Sequence, residues 1–124
     1  MKQRNDGLFL LHIAEALDKV QRYTQSGKET FLRDSMIQDA VIRNFEIVGE
    51  AVKGLSAALR KKHPEVDWAG MAGFRDILIH QYFGIDLENV WEIVNSTAAN
   101  AKQYIENMPE YKAFQQEMKN IDNE

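Results

Sequence analysis

The stretch from Ser35 to Pro64, SMIQDAVIRNFEIVGEAVKGLSAALRKKHP, decides the fold. Ile37, Val41, Asn44, Val48, Ala51, Leu55 and Ala58 follow one another at spacings of four and three, the repeat of one helical face. Ser35 followed three residues later by Gln38 has the form of a capping box, which would start the helix. Pro64 lacks an amide hydrogen and would stop it. The expected helix runs about 27 residues, roughly 40 Å at ~1.5 Å per residue. A helix of that length is the spine of a small all-α bundle.

The flanks read the same way. Leu10, Ile13, Ala14, Leu17 and Val20 form a stripe on an N-terminal helix, with Asp6 placed to cap its start and Ser26-Gly27 to close its end. Downstream, Asp67 is placed to cap a helix carrying Trp68, Met71, Phe74 and Leu78, which Phe83-Gly84 breaks. Asp86 is placed to cap another, with Leu87, Val90, Trp91, Val94, Ala98, Ala101 and Ile105 inward and Pro109 as its end. The segment EYKAFQQEMKNIDNE reads as a short helix that frays, with a polar tail from about residue 115. No stretch alternates with period two. With no repeat, low-complexity tract or linker, one domain over residues 1–124 is expected: an up-and-down bundle of four to five helices.

Composition narrows the function classes. Of 124 residues, 44% are apolar and 27% charged, the balance of a globular protein. Cysteine is absent, so neither a disulfide nor a thiolate nucleophile is available. No apolar run approaches the ~18 residues of a membrane span. His12 and Glu15 interrupt the N-terminal apolar stretch, so it reads as a mature helix in a cytoplasmic protein. Net charge is −4. A protein that grips nucleic acid with its whole surface is more often basic, so any RNA contact here must be local.

The chemistry concentrates in Gly73–Asp86, GFRDILIHQYFGID. Arg75, His80 and Tyr82 place a permanent cation, an imidazole that exchanges protons near neutrality and a phenol within eight positions. This set suits phosphodiester cleavage without a metal. The competing roles are ordinary ones. His80 can serve as a helix C-cap residue, Arg75 can pair with Asp76 or Glu50, and Tyr82 can rest its ring on the bundle with its hydroxyl in water. In an unbroken helix Arg75 and His80 lie ~140° apart, whereas Arg75 and Tyr82 share a face about 10 Å apart. A tight Arg–His site therefore needs either a distorted helix or two chains pairing their motifs across a two-fold axis.

These blocks resemble the HepT-like ribonuclease toxins of the HEPN superfamily. The resemblance rests on Arg75, four residues, His80, one residue, Tyr82. It also rests on Arg43-Asn44-Phe45-Glu46-Ile47-Val48-Gly49-Glu50-Ala51, on Pro64-Glu65-Val66-Asp67-Trp68, and on Phe83-Gly84-Ile85-Asp86 with Val90-Trp91. It covers roughly residues 8 to 108. It implies an all-α homodimer acting as a metal-independent endoribonuclease at a dimer cleft, with Arg75 and His80 catalytic. It also implies a type VII toxin–antitoxin module, in which an MntA-type nucleotidyltransferase neutralises the toxin by transferring AMP to Tyr82. No cofactor is expected.

Other residues carry open alternatives. Asn44 falls on the apolar stripe and either bonds internally or supports the motif cleft. Glu50 either pairs with Arg75 or stays solvated. A mid-helix Gly49 costs about 1 kcal/mol against alanine, which suggests close approach of another helix or chain. Lys53, Arg60, Lys61, Lys62 and His63 either extend an RNA path or complement a helix C-terminus. His12 and His63 lack any metal-ligand spacing. The rival reading is a non-catalytic helical subunit that binds nucleotide or substrate for a separate nucleotidyltransferase. A plain dimerisation module is a third.

Overall fold

Asp34, one residue before the expected cap, starts the central helix. Its carboxylate accepts from the amides of Met36 and Ile37 at 2.9 and 3.3 Å. The Gln38 side chain turns away and donates to the Phe31 carbonyl at 2.9 Å, so no capping box forms. In this computed structural model, which describes residues 5–81 and 83–123, the helix spans Ser35–Gly54 and ends well short of Pro64. Leu55 is extended, and Ser56 starts a separate short helix, Ala57–Lys62, by accepting from the Leu59 amide.

The break has a tertiary cause. Asp6 accepts from the Ser56 amide at 2.8 Å and from its hydroxyl at 2.7 Å, reaching across from the N-terminal helix. The backbone that a continuous helix would have used is thus satisfied from outside. The apolar stripe shifts phase at the break: Leu55 and Leu59 are buried, while Ala58, expected inward, is exposed. Asp6 is consequently not a cap. Asn5 takes that place, accepting from the Leu8 amide at 3.1 Å.

Eight α-helices result among the described residues, in the order α1 Asp6–Tyr23, α2 Lys28–Arg33, α3 Ser35–Gly54, α4 Ala57–Lys62, α5 Trp68–His80, α6 Leu87–Ile93, α7 Ala99–Glu106 and α8 Pro109–Asp122. No strand occurs among those residues. Helix α1 ends at Thr24, whose hydroxyl bonds back to the Val20 carbonyl at 2.8 Å. Gly27, expected to close α1, instead opens α2 with a φ of 95°, a conformation glycine adopts without strain. Asp67 and Asp86 cap α5 and α6 as expected, accepting from Gly70 and Asn89. A π-helical turn, Val94–Ala98, joins α6 to α7. Pro109 begins α8 rather than merely ending α7, occupying a first-turn position where its missing amide costs nothing.

Helix α3 is the hub, packed on one side by α1 and on another by α5. Val41, Phe45, Val48, Ala51 and Val52 of α3 join Leu10, Ile13, Leu17 and Val20 of α1 in the core. Helices α7 and α8 lie against α1. Burying that many aliphatic side chains, at about 1.5–3 kcal/mol each, is what holds so short a chain together.

A buried polar knot fastens α8. His63 is 8% exposed. Its Nε2 lies 3.0 Å from both oxygens of Glu110, and its Nδ1 lies 2.9 Å from the Tyr104 hydroxyl. That hydroxyl in turn donates to Glu65 at 3.0 Å. Burial pushes the Glu110 carboxyl up, but hydrogen bonds from His63 and Lys62 outweigh it and hold the group below its ordinary value. The basic run read at the end of the long helix is thereby divided. Lys62 joins this knot at 3.3 Å from Glu110, Lys53 pairs with Asp76, and Arg60, Lys61 and Lys62 form the last turn of α4.

Candidate active site

Arg75 is fixed where α5 crosses α3. A Cβ built on Gly49 would stand 2.2 Å from the Arg75 Cβ, so the two helices touch only because residue 49 is glycine. The arginine stem lies over that gap. Its guanidinium bonds Glu50 at 3.1 Å and Asp76 at 3.0 Å. Lys53 reaches the same Asp76 oxygen at 2.9 Å. Hydrogen bonds from Lys53 and Arg75 hold the Asp76 carboxyl below its ordinary range. The arginine side chain is 29% exposed and Glu50 66% exposed, so the guanidinium is positioned by protein yet open to a competing anion.

Arg75 lines a groove of about 470 Å³ between α1, α3 and α5, together with Phe9, His12, Lys53 and Ile79. His80 does not line it. Helix α5 runs as regular α-helix through His80, with the Gln81 amide bonded to the Ile77 carbonyl, and five residues of regular helix turn His80 ~140° from Arg75. Of the two routes that sequence left open, the distorted helix is therefore not what the chain adopts. His80 stands exposed at the last position of the helix; Ile77 and Phe83, three residues to either side in sequence, are 52% and 91% exposed. Tyr82, read as the AMP acceptor, lies outside the described residues.

Of the supporting residues, Glu50 and Asp76 meet Arg75 directly. Asn44 does not. It is buried, and its amide donates to the Ala40 carbonyl one turn earlier at 2.8 Å, the internal bond that was one of its two readings. His12, which carries no metal-ligand spacing in the sequence, shares the groove with Arg75. Among the described residues no group of three or more His, Cys, Asp or Glu stands close enough to hold a metal ion. No helix among them is long and apolar enough to cross a membrane.

Residues 13–108 match the family described as ribonuclease HepT-like. The chain belongs to that family. The helical bundle of this HepT-like chain is accordingly of the HEPN type. A putative RNase of Methanocaldococcus jannaschii is 41% identical over 107 residues, 86% of this chain and 88% of its own length. A probable ribonuclease HepT of Thermococcus cleftensis is 40% identical over 101 residues, 81% of this chain and 92% of its own. A gamma-glutamylcyclotransferase and putative RNase, also of M. jannaschii, is 40% identical over 99 residues, and the match covers 45% of that longer protein. No solved structure matches the chain.

Proposed function

We propose that this HepT-like chain is a metal-independent endoribonuclease that works as a homodimer. The observation that carries the reading is the placement of Arg75: a stem packed against Gly49 and a guanidinium held by two exposed carboxylates beside a groove. Arginine's planar fork matches phosphate, and a phosphate can displace an exposed carboxylate from it at small cost. The RNA supplies its own nucleophile. One His80 takes the proton of a 2′-hydroxyl as the 2′-oxygen bonds to phosphorus. A second gives a proton to the 5′-oxygen as its bond to phosphorus breaks. The products are a 2′,3′-cyclic phosphate and a 5′-hydroxyl.

Two imidazoles and a held phosphate call for two chains, because one α5 splays its Arg75 from its His80. A two-fold axis beside α5 would supply both pairs, since such an interface brings the same patch of each subunit together. The exposed apolar side chains of Ile77 and Phe83, each three residues from His80 in sequence, support an interface at this end of α5. The test is cleavage of single-stranded RNA by purified protein in EDTA, with the product ends identified. Cyclic phosphate ends formed in chelator are expected. Activity that vanishes with EDTA and returns with Mg²⁺ would reject the mechanism.

We further read Tyr82 as the regulatory acceptor of AMP from an MntA-type nucleotidyltransferase antitoxin. Each added phosphate places negative charge in the same motif as Arg75 and His80, where it competes with RNA. Tyr82→Phe is expected to retain substantial ribonuclease activity and to resist neutralisation. In a mixture of wild type, partner and ATP, intact mass should rise in AMP-sized steps that map to Tyr82. An adduct on Tyr104 or Tyr111, or none at all, sinks the assignment and favours the rival reading as a non-catalytic subunit.

A further inference from the structure

We propose that the groove between α1, α3 and α5 is a nucleotide subsite for the RNA strand, and that His12 is its sugar–phosphate contact. The proposal rests on the ribonuclease reading and extends it from the scissile phosphate to a neighbouring nucleotide.

The groove has the size and the lining that such a ligand needs. Its volume of about 470 Å³ falls within the range usual for small-ligand pockets, about 300–1,000 Å³. Phe9, Ile47 and Ile79 give it apolar surface, and Arg75 and Lys53 give it cations. Phe9 is anchored for this. A Cβ on Gly54 would stand 2.5 Å from its ring, so the aromatic lies directly against the end of α3. An aromatic face beside a cation is the combination that binds single-stranded nucleic acid, the ring taking a base and the cation a phosphate. The carboxylates of Glu46 and Glu50 line the same groove. They supply acceptors for base amino groups or ribose hydroxyls.

His12 is singled out by what it lacks. Arg75 and Lys53 pair with carboxylates, and Arg43 approaches Glu46 at 3.8 Å. Among the described basic residues that line the groove, His12 is the one that forms no ion pair with a carboxylate. It is exposed, and its ring meets Phe9 edge to face at a centroid distance of 6.4 Å. The imidazole is thus aimed by an aromatic contact and keeps its polar atoms for a ligand. An exposed residue on the solvent side of α1 has no part in the core, so its replacement leaves the fold intact.

The experiment titrates the full-length protein with adenosine 3′-monophosphate and, separately, with inorganic phosphate, following the ring signals of histidine and phenylalanine by NMR. The nucleotide is expected to move the signals of His12 and Phe9, and phosphate alone to leave Phe9 unmoved. In RNA cleavage, His12→Gln is expected to raise KM about tenfold with little change in kcat, the mark of lost substrate binding. Ring signals that stay fixed under saturating nucleotide overturn the subsite, whether the groove is empty or covered by a second copy. So does a His12→Gln enzyme with wild-type KM. Shifts at both rings in a protein that never cuts RNA would keep the subsite and remove the ribonuclease reading. Fixed rings in a protein that does cut RNA would do the reverse.

Discussion

Alanine at His80 is expected to lower RNA cleavage by about 10²–10⁴-fold, the usual worth of a general acid or base. Alanine at Arg75 should cost about 10²–10³-fold, the scale of losing one stabiliser of transition-state charge. Neither change should unfold the protein. His80 is exposed, and the carboxylates left behind by Arg75, those of Glu50 and Asp76, are 66% and 47% exposed and can return to water. Arg75→Lys separates charge from shape. Lysine keeps the cation but loses the fork that holds two phosphate oxygens, so an intermediate rate is expected. Initial rates on a fluorogenic RNA, with circular dichroism as the folding control, check all three. Wild-type rates in both alanine variants would make these residues structural.

The second large effect concerns Gly49. Its missing Cβ leaves the space that Arg75 fills, and the Met71 carbonyl lies only 3.1 Å from where that Cβ would stand. Gly49→Ala must push α5 away from α3, and overpacking of this kind costs about 1–3 kcal/mol. Better helix propensity returns up to about 1 kcal/mol. A net loss of roughly 1–2 kcal/mol is expected, a fall of about 4–8 °C in Tm for a chain of this size. Cleavage should fall as well, because Arg75 moves with the helix. Gly73 is the control on α5 itself. A Cβ there meets nothing within 4 Å, so Gly73→Ala is expected to raise Tm. If thermal melts show Gly49→Ala at or above wild type, the close crossing of α3 and α5 is not as described.

The two glycines also show what a sequence can carry. The cost of a mid-helix glycine at residue 49 announced a close approach, but only the fold shows that Arg75 is what approaches. The caps at Asp67 and Asp86 were legible because each stands directly before an apolar helical run. The break after Gly54 was not. In the sequence, apolar residues continue at helical spacing through Leu55 and Ala58, so nothing local marks the break, and the deciding partner, Asp6, is 50 residues from Ser56. Asp6 was read as the cap in place of Asn5 for the same reason, since both types cap helices and tertiary contact chose between them.

The site was legible in its motif and not in its surroundings. Arg75, His80 and Tyr82 stand within one short segment, and helical geometry alone foretold the splay of the first two. His63 read as part of the basic run at a helix end because its partners Tyr104 and Glu110 lie 41 and 47 residues away. His12 carried no assigned role because no local pattern marks a groove that three helices build. Asn44 offered two readings at equal weight, since the bond to Ala40 that decides between them costs the sequence no signal.

The central claim is that each site draws Arg75 and His80 from different chains. Mixing the Arg75→Ala chain with the His80→Ala chain tests it most directly. Each variant alone should be nearly inactive. After unfolding together and refolding, the shared cleft of a mixed dimer holds one intact Arg75 and one intact His80 on different chains, so cleavage should rise clearly above that of either parent, short of the wild-type rate because one imidazole is missing. A mixture that exchanges subunits, as mass spectrometry would show, yet stays as inactive as its parents would contradict the account, as would a fully active wild-type monomer.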